Sequence, residues 1–333
     1  MLFAQDMGID LGTSNTRVYV KGKGIVIDEP SVVAIDIEQT PEKVVAVGTE
    51  AKQMLGRTPG SISAVRPLKD GVIADFNVTV AMLSSIIKKA VGNSLFSRPR
   101  VMIAIPSGVT EVERKAVHDA AKSAGARYVS LIEAPMAAAI GAGLPVASPV
   151  GCMVVDIGGG SAETAILSLC DIVASRSVRA GGDRFDEAII AYVKKKWNML
   201  IGERTAEDIK IKLGSAYHYE GEGALDAHGR SLADGLPKNI EITSKDVREA
   251  ISDTVNQMIN SIKMTLEKIP PELAADIIET GIMLTGGTAR LRGLDRLISL
   301  ETKMPVVVAD EPEGCIIRGV RLCLEKDILN LGN

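Results

Sequence analysis

The chain alternates short apolar runs with longer segments in which apolar residues recur every three or four positions, and this predicts an α/β protein. The short runs predict strands at 7–11, 17–20, 32–35, 44–47, 101–105, 129–132, 151–156, 165–169 and 281–285. The helical spacing predicts helices at 77–90, 136–143, 184–197, 206–213, 244–269, 289–300 and 316–329. Another helix is predicted to begin with a capping box formed by Thr110 and Glu113. The polar, glycine-rich segment 221–237 predicts a surface hairpin or loop.

One strand–turn–strand pattern occurs twice. Asp10 ends an apolar strand and is followed by Gly12, and Asp156 ends a second strand and is followed by Gly158. Small or hydroxyl residues and a returning strand come next in both copies. We infer a duplicated α/β domain. The length of 333 residues agrees with this inference, since a single domain has about 150 residues.

Composition and charge exclude two classes of function. The net charge is −4, whereas a nucleic-acid-binding surface shows clustered excess Lys and Arg, so no nucleic-acid partner is expected. The sequence contains no run of about 18 apolar residues, so no membrane-spanning helix is predicted. The amino terminus also lacks the basic flank and apolar core of a signal peptide, so the expected location is the cytoplasm.

The two aspartate–glycine turns are candidates for binding phosphate. A tight glycine turn exposes backbone N–H groups that can hold phosphate oxygens, and the carboxylate can bind the waters of a Mg²⁺ ion. One such turn is also common in ordinary hairpins, but two at matching positions indicate a phosphate chain held from both sides. A third loop at 285–289 joins a strand to a predicted helix, where N–H groups favour an anion or a nucleoside. Its alternative is an ordinary strand–helix turn.

These three motifs resemble the phosphate-1, phosphate-2 and adenosine motifs of the actin, sugar-kinase and DnaK-type chaperone ATPase superfamily. Within it, the chain is similar to the MreB family of bacterial actins in the segments KGKGIVIDEPSVVAI, GRTPG, LKDGVIADF, PMAAAIGAGLP and PPELAADI. The resemblance implies duplicated actin-like (ribonuclease H-like) domains, each with a mixed five-stranded sheet, helices and a small inserted subdomain. It implies domain I at 1–143 plus 316–333, with an insert at about 32–72, and domain II at 144–315, with an insert at about 182–243.

The resemblance also implies a binding site for ATP or ADP with Mg²⁺. The residues that would hold the phosphates and the hydrated ion are Asp10, Gly12, Thr13, Ser14, Asn15, Asp156, Gly158, Gly159 and Gly160. The two aspartates would bind Mg²⁺ through water. The residues that would flank the nucleoside are Glu207, Lys210, Gly286, Gly287, Thr288 and Ala289. Glu207 and Lys210 have an alternative, a solvated pair on a helix surface.

Position 134 departs from the family pattern. The family has a glutamate immediately before the proline of PMAAAIGAG, and this residue is thought to orient or activate the attacking water. Here that position is Ala134, and Glu133, one step earlier, is a weak substitute. A methyl group cannot accept a proton. Ser161 and Ala162 replace the usual pair of threonines, and Thr288 replaces a third glycine. We therefore expect nucleotide binding with slow or impaired hydrolysis.

An apolar pair in a polar segment is a candidate membrane contact. Leu95 and Phe96 lie between polar residues and precede Arg98 and Arg100. The alternative is that the pair packs back on the preceding helix. The resemblance favours insertion into the membrane, with Leu2 and Phe3 as a second contact.

The resulting functional expectation is a filament-forming, nucleotide-dependent cytoskeletal protein. By resemblance, it scaffolds cell-wall synthesis and rod shape at the inner face of the cytoplasmic membrane. Its partners would be further copies of itself, the membrane and the membrane proteins of cell-wall elongation. The alternatives are a metabolite kinase, which needs a catalytic base and substrate groups, and a chaperone ATPase, which adds a peptide-binding domain. The sequence offers neither set of features.

Overall fold

A computed structural model describes residues 6–39, 43–92 and 98–326. Contacts divide the chain into two compact units. The first unit comprises Met1–Pro149, Leu167–Ile172 and Gly314–Asn333, and the second comprises Val150–Ile166 and Val173–Glu313.

The first unit contains most of the amino-terminal strands and helices. Its strands are β1 (Asp6–Leu11), β2 (Asn15–Val20), β3 (Gly24–Pro30), β4 (Val33–Asp36), β5 (Lys43–Val47), β6 (Ile62–Val65), β7 (Leu68–Lys69), β8 (Val72–Ile73), β9 (Arg100–Ile105) and β10 (Tyr128–Glu133). Its first four helices are α1 (Thr49–Met54), α2 (Phe76–Val91), α3 (Glu111–Ser123) and α4 (Ala134–Gly141).

A mixed five-stranded sheet with the order β10-β9-β1-β2-β3 forms the centre of this unit. Strands β1, β9 and β10 are parallel to one another, β2 is antiparallel to β1, and β3 is antiparallel to β2. Met7 and Ile9 of the central strand are fully buried, together with Met82 and Leu83 of α2. The predicted capping box at Thr110 and Glu113 is present at the start of α3. A smaller sheet, β5-β4-β6, lies within the predicted insert.

The second unit contains most residues of the remaining strands and five further described helices, whereas Leu167–Ile172, which include the end of β12 and the start of β13, are counted with the first unit. Its strands are β11 (Cys152–Ile157), β12 (Ala162–Ser168), β13 (Asp171–Val178), β14 (Met199–Leu200), β15 (Ala224–Ser231), β16 (Pro237–Thr243), β17 (Ile282–Thr285) and β18 (Val306–Val308). Its helices are α5 (Gly182–Trp197), α6 (Glu203–Leu213), α7 (Ser244–Leu266), α8 (Pro271–Thr280) and α9 (Leu294–Thr302).

The sheet of the second unit has the order β13-β12-β11-β17-β18. Its central strand β11 is buried along its whole length and pairs in parallel with β17. In both units the first strand is central, the next two lie on one side, and two parallel strands from later in the chain lie on the other. The repeat of strand order matches the repeat of the aspartate–glycine motif, and it places both aspartates near the ends of central strands.

The last described helix, α10 (Cys315–Lys326), belongs to the first unit and packs against α4 and β1. The two helices approach closely because glycines face each other's backbone. A Cβ atom at Gly319 would lie 1.8 Å from the Ala137 carbonyl oxygen, and one at Gly141 would lie 1.8 Å from that of Cys315. No larger residue fits at either position without moving a helix.

Among the predicted elements, one helix and one hairpin differ most from the structure. The helix predicted from Ala289 begins only at Leu294, and Gly287–Arg290 form a single 3-10 turn. Gly293, with a φ of 70°, separates the two. The predicted hairpin or loop at 221–237 is a hairpin whose strands, β15 and β16, extend to Thr243.

None of the described helices is long and apolar enough to cross a bilayer. The predicted membrane residues Leu2, Phe3, Leu95 and Phe96 lie outside the described residues.

Candidate nucleotide site

The turn after β1 is held in shape by residues distant in the sequence. Ser31 Oγ donates to the carbonyl oxygen of Gly12 over 2.6 Å, and Gly71 N donates to Thr13 Oγ1 over 3.0 Å. A Cβ atom at Gly12 would lie 2.6 Å from the Asn15 carbonyl oxygen, so the turn requires glycine there. The turn is therefore tight and braced, as a phosphate-binding loop needs to be.

Asp10 reaches this turn from the end of the central strand. Asp10 is 7% exposed, and Arg17 Nη1 lies 3.9 Å from Asp10 Oδ2. The Arg17 guanidinium therefore places a positive charge near this almost buried carboxylate. Ser14 is half-buried and Asn15 is exposed at the start of β2.

The corresponding turn of the second unit orients Asp156. Thr285 Oγ1, at the end of the neighbouring strand β17, donates to Asp156 Oδ1 over 2.8 Å, and both residues are buried. Gly158 N donates to the Ser161 carbonyl oxygen over 2.9 Å and closes the turn before β12. The Asp156 carboxylate is thus fixed at the carboxyl end of β11, beside the glycine loop.

Three of the predicted segments in this unit converge on the first turn of α5. Gly182 N donates to the Gly158 carbonyl oxygen over 3.0 Å, and Thr288 Oγ1 donates to the same oxygen over 2.9 Å. Lys210 Nζ, from α6, donates to the Gly182 carbonyl oxygen over 3.0 Å. The glycine loop, the α6 lysine and the loop at 285–289 therefore form one cluster around Gly182.

Glycines make this convergence possible. A Cβ atom at Gly181 would lie 2.3 Å from the Gly159 carbonyl oxygen. At Gly286 the φ is 81°, and a Cβ atom would lie 2.3 Å from the Ile157 carbonyl oxygen. Of the remaining predicted residues in the loops, Gly160 and Ala289 are buried, and Gly159 is half-buried.

Lys210 is engaged with Asp186 of α5. Its ammonium lies 2.8 Å from Asp186 Oδ2, and both side chains are largely buried. Glu207 is half-buried one turn earlier in α6. Lys210 therefore lies inside the cluster rather than on a solvated helix surface. Its contact with a nucleotide stays a prediction.

Position 134 is buried, and the neighbouring glutamate is directed elsewhere. Ala134 is 8% exposed in the first turn of α4. Glu133 Oε1 lies 3.6 Å from Arg114 Nη2 of α3. The engagement of Glu133 with Arg114 does not favour it as a replacement for the family's glutamate.

The two predicted Mg²⁺ ligands are carboxylates, a type of donor that Mg²⁺ accepts. The described residues contain no group of three or more His, Cys, Asp or Glu side chains arranged to hold a metal. Asp10 and Asp156 are instead single carboxylates, each beside a glycine turn. Mg²⁺ keeps several waters and binds through one or two carboxylates and phosphates, so this donor set suits it.

Sequence reasoning missed several residues that shape the site. They include Ser31, Gly71, Gly182 and Asp186. Gly182 and Asp186 had a local signal, because a glycine pair with acidic residues opens a helix in the segment GGDRFDEA. The others act through contacts that no local pattern reveals.

The chain is similar in sequence to cell-shape proteins over nearly its whole length. A family model described as MreB/Mbl protein matches residues 4–330. The Cell shape-determining protein MreB of Escherichia coli (strain K12) is 54% identical over 327 residues, which cover 97% of this chain and 94% of the relative. The Cell shape-determining protein Mbl of Bacillus subtilis (strain 168) is 50% identical over 324 residues, covering 97% of both.

Solved structures agree in fold. The crystal structure of MreB5 of Spiroplasma citri bound to ADP is 37% identical with a TM-score of 0.92, and the match covers 98% of this chain and 97% of that one. Its AMPPNP-bound form gives the same TM-score at 36% identity, covering 99% of both. The MamK double helical filament, at 21% identity and a TM-score of 0.81, shares the actin-like fold over 96% of this chain and 99% of that one.

Proposed function

The chain belongs to the MreB/Mbl family, and from this premise we propose that it is an ATP-binding, filament-forming bacterial actin that determines cell shape. The observation that carries the proposal is the cluster around Gly182, where Gly158, Lys210 and Thr288 meet. The first N–H groups of α5 donate to the carbonyl oxygens of Gly158 and Gly159 and so fix the shape of the glycine loop. A glycine loop held in this way can direct its remaining N–H groups at an anionic ligand.

ATP or ADP with Mg²⁺ is the ligand we propose. The related MreB5 structures contain ADP and AMPPNP. In this chain, Gly12 and Gly158 open the loops that would bind phosphate, and Asp10 and Asp156 would hold the hydrated ion. The bound ion would neutralise phosphate charge, while the residues themselves bind and orient the ligand.

A metabolite kinase or a chaperone ATPase of the same superfamily is less favoured. The relatives that match nearly the whole chain are cell shape-determining proteins. Neither alternative is supported by a separate constellation of substrate-binding residues in the sequence.

A matched pair of glycine substitutions tests the proposal. At Gly182 a Cβ atom would lie 3.0 Å from Thr288 Oγ1 and 3.3 Å from Lys210 Nζ, whereas at Gly202 nothing lies within 4 Å. Gly182→Ala should weaken ATP binding by about tenfold or more and reduce ATP-dependent pelleting on ultracentrifugation. Gly202→Ala, at the start of α6, should behave as the unchanged protein.

The proposal is contradicted if the protein without substitutions stays in the supernatant on ultracentrifugation with ATP and Mg²⁺. A kinase or a chaperone ATPase is expected to behave in that way. Pelleting that is equal with and without nucleotide would contradict the nucleotide dependence alone.

We further propose that one edge of the first unit faces the cytoplasmic membrane. In the sheet register, Asp6 of β1 lies opposite Arg100 of β9, and Arg100 lies opposite Tyr128 of β10. Segments 1–5 and 93–97 therefore join the described chain close to one another. Each carries an apolar pair, Leu2 with Phe3 and Leu95 with Phe96.

The charge of this edge supports the membrane proposal. Arg100 and Lys21 both pair with Asp6, and Lys122 and Arg127 flank the exposed ring of Tyr128 at 5.6 and 5.2 Å. Cations thus outnumber the one acidic residue of the group. Basic residues near an anionic lipid surface contribute about 1 kcal/mol each. At the membrane, the filament would act with the membrane proteins of cell-wall elongation.

A further inference from the structure

The Asp186 carboxylate is nearly buried and only half satisfied. Its side chain is 14% exposed. Oδ2 accepts a hydrogen bond from Lys210 over 2.8 Å, but the buried Oδ1 atom has no hydrogen-bond partner among the described residues. Buried polar atoms are almost always paired, and an unpaired carboxylate oxygen costs stability. Such an arrangement is better explained by a role in the site than by packing.

The surroundings of Asp186 do not favour its ionised form. Burial raises the pKa of the Asp186 carboxyl to about 6, Lys210 opposes the rise, and the negative charges of Asp183 and Glu207 add to it. These are the charged groups that face the carboxyl from α5 and α6. Among the described residues, Lys210 is therefore the group that favours the ionised form of the Asp186 carboxyl.

Lys210 has a hydrogen-bond donor to spare. An ammonium group carries three N–H bonds, and the described contacts use two, to Asp186 Oδ2 and to the Gly182 carbonyl oxygen. The ammonium also lies over Gly182, since a Cβ atom there would be only 3.3 Å from Nζ. The third donor remains for a ligand at the cluster.

We propose that Asp186 is a positioning residue for the nucleotide, holding the Lys210 ammonium at the start of α5 so that one proton is left for the ligand. The inference rests on the proposed function, because it presumes that a nucleotide binds at this cluster. It adds a residue that makes no ligand contact itself and acts only through Lys210.

A double-mutant cycle on nucleotide affinity tests this role. ADP binding is measured by titration calorimetry for the full chain and for Asp186→Asn, Lys210→Gln and the double variant. Asp186→Asn and Lys210→Gln should each weaken binding by about tenfold, the effect of one charge-assisted hydrogen bond. The double variant should be no weaker than Lys210→Gln alone, because Asp186 acts through the lysine.

Asp208→Asn is the matched control, since Asp208 is an exposed aspartate on α6. It should leave ADP affinity unchanged. Fluorescence of Trp197, at the other end of α5, reports whether each variant is folded. If Asp186→Asn does not fold, Asp186→Glu replaces it in the same cycle, with the same coupling to Lys210 required.

Two results would overturn the positioning role. One is an Asp186 variant that binds ADP as tightly as the unchanged protein. The other is a loss of ADP affinity on Asp186→Asn that is equally large in the Lys210→Gln background, which would mean a general structural effect. Failure of the unchanged protein and of Asp208→Asn to bind ADP would instead refute the proposed function.

Discussion

Ala134 lies at the position where the family resemblance predicts a glutamate. It is buried at the start of α4, and its methyl group can neither accept a proton nor orient water. Glu133 contacts Arg114 of α3. Neither side chain contributes a contact to the cluster around Gly182, so we expect substitutions at position 134 to change hydrolysis without changing nucleotide binding.

Ala134→Glu should raise the rate of phosphate release from ATP by about tenfold or more, since a positioned general base contributes about 10²–10⁴ in rate. The measurement is phosphate release at saturating ATP and Mg²⁺, together with the ADP dissociation constant, which should stay the same.

Ala134→Gln is the control for this substitution, because it adds similar volume without a base. Glu133→Gln in the unchanged background should have little effect. Equal phosphate release from the unchanged protein and from the Ala134→Glu and Ala134→Gln variants would show that this position does not govern hydrolysis.

At the scale of elements, the start of α7 is connected to α5 through Asp246. Thr243 and Asp246 form a capping box, with Asp246 Oδ2 accepting from Thr243 Oγ1 over 2.7 Å and from Thr243 N over 3.0 Å. Lys196 and Tyr192 of α5 also donate to its Oδ1 atom. Burial opposes ionisation, but the hydrogen bonds from Lys196 and Thr243 outweigh it and lower the pKa of Asp246 to about 2.

Asp246→Asn should lower the free energy of unfolding of the second unit by about 1–2 kcal/mol at pH 7. The folded-state pKa lies below the unfolded value of about 3.9. The contribution of the ionised group is therefore fully present above the unfolded value and is lost as the pH falls through the folded value of about 2. The difference between the two proteins should shrink accordingly between about pH 4 and pH 2.

Urea denaturation followed by Trp197 fluorescence checks this prediction, since Trp197 is the only tryptophan of the chain and its ring centroid lies 6.0 Å from that of Tyr192. Asp253→Asn, an exposed aspartate on the same helix, is the control. If the free energies of unfolding of Asp246→Asn and of the protein without substitutions differ equally at pH 7 and at pH 2.5, the role of the ionised carboxylate is contradicted.

Three elements that the sequence patterns did not predict bury few of their side chains. β3 exposes Ile25 and Val26, and β13 alternates exposed and half-buried positions along its length. α8 follows a pair of prolines and buries only Ile277. β3 and β13 are outer strands of their sheets, and pairing with β2 and β12 stabilises them. The strongly periodic α7 was predicted at 244–269 and ends at Leu266.

At the scale of the whole molecule, assembly and membrane attachment depend on each other in our proposal. Each apolar side chain contributes about 1.5–3 kcal/mol when fully buried, but association itself costs about 4–15 kcal/mol, so two pairs hold a single copy only weakly. Many copies in a filament bind with far greater avidity. The basic edge at Lys21, Arg100, Lys122 and Arg127 adds an electrostatic attraction to anionic lipids.

Replacing Leu95 and Phe96 together by Ser should greatly reduce co-sedimentation with anionic liposomes while ATP-dependent assembly without lipid continues. The control replaces Val112 and Ile25, two exposed apolar residues of the same unit, by Ser. Liposome binding that is unchanged in the Leu95 and Phe96 variant would refute the role of this segment.

The amino-acid sequence by itself determined the repeated strand–turn–strand motifs, most of the helices and the three glycine loops. These features are local, because backbone conformation, side-chain periodicity and the freedom of glycine act within a few residues. The family resemblance rested on the same local motifs, and the match to residues 4–330 confirmed it.

Only the tertiary structure decided which side chains orient these loops. Ser31 fixes Gly12, Thr285 fixes Asp156, and Asp186 holds Lys210. Thr285 and Asp156 are 129 residues apart in the sequence and meet because β17 pairs with β11. Strand order and helix packing create such contacts, and they depend on the burial of the whole core rather than on any one segment.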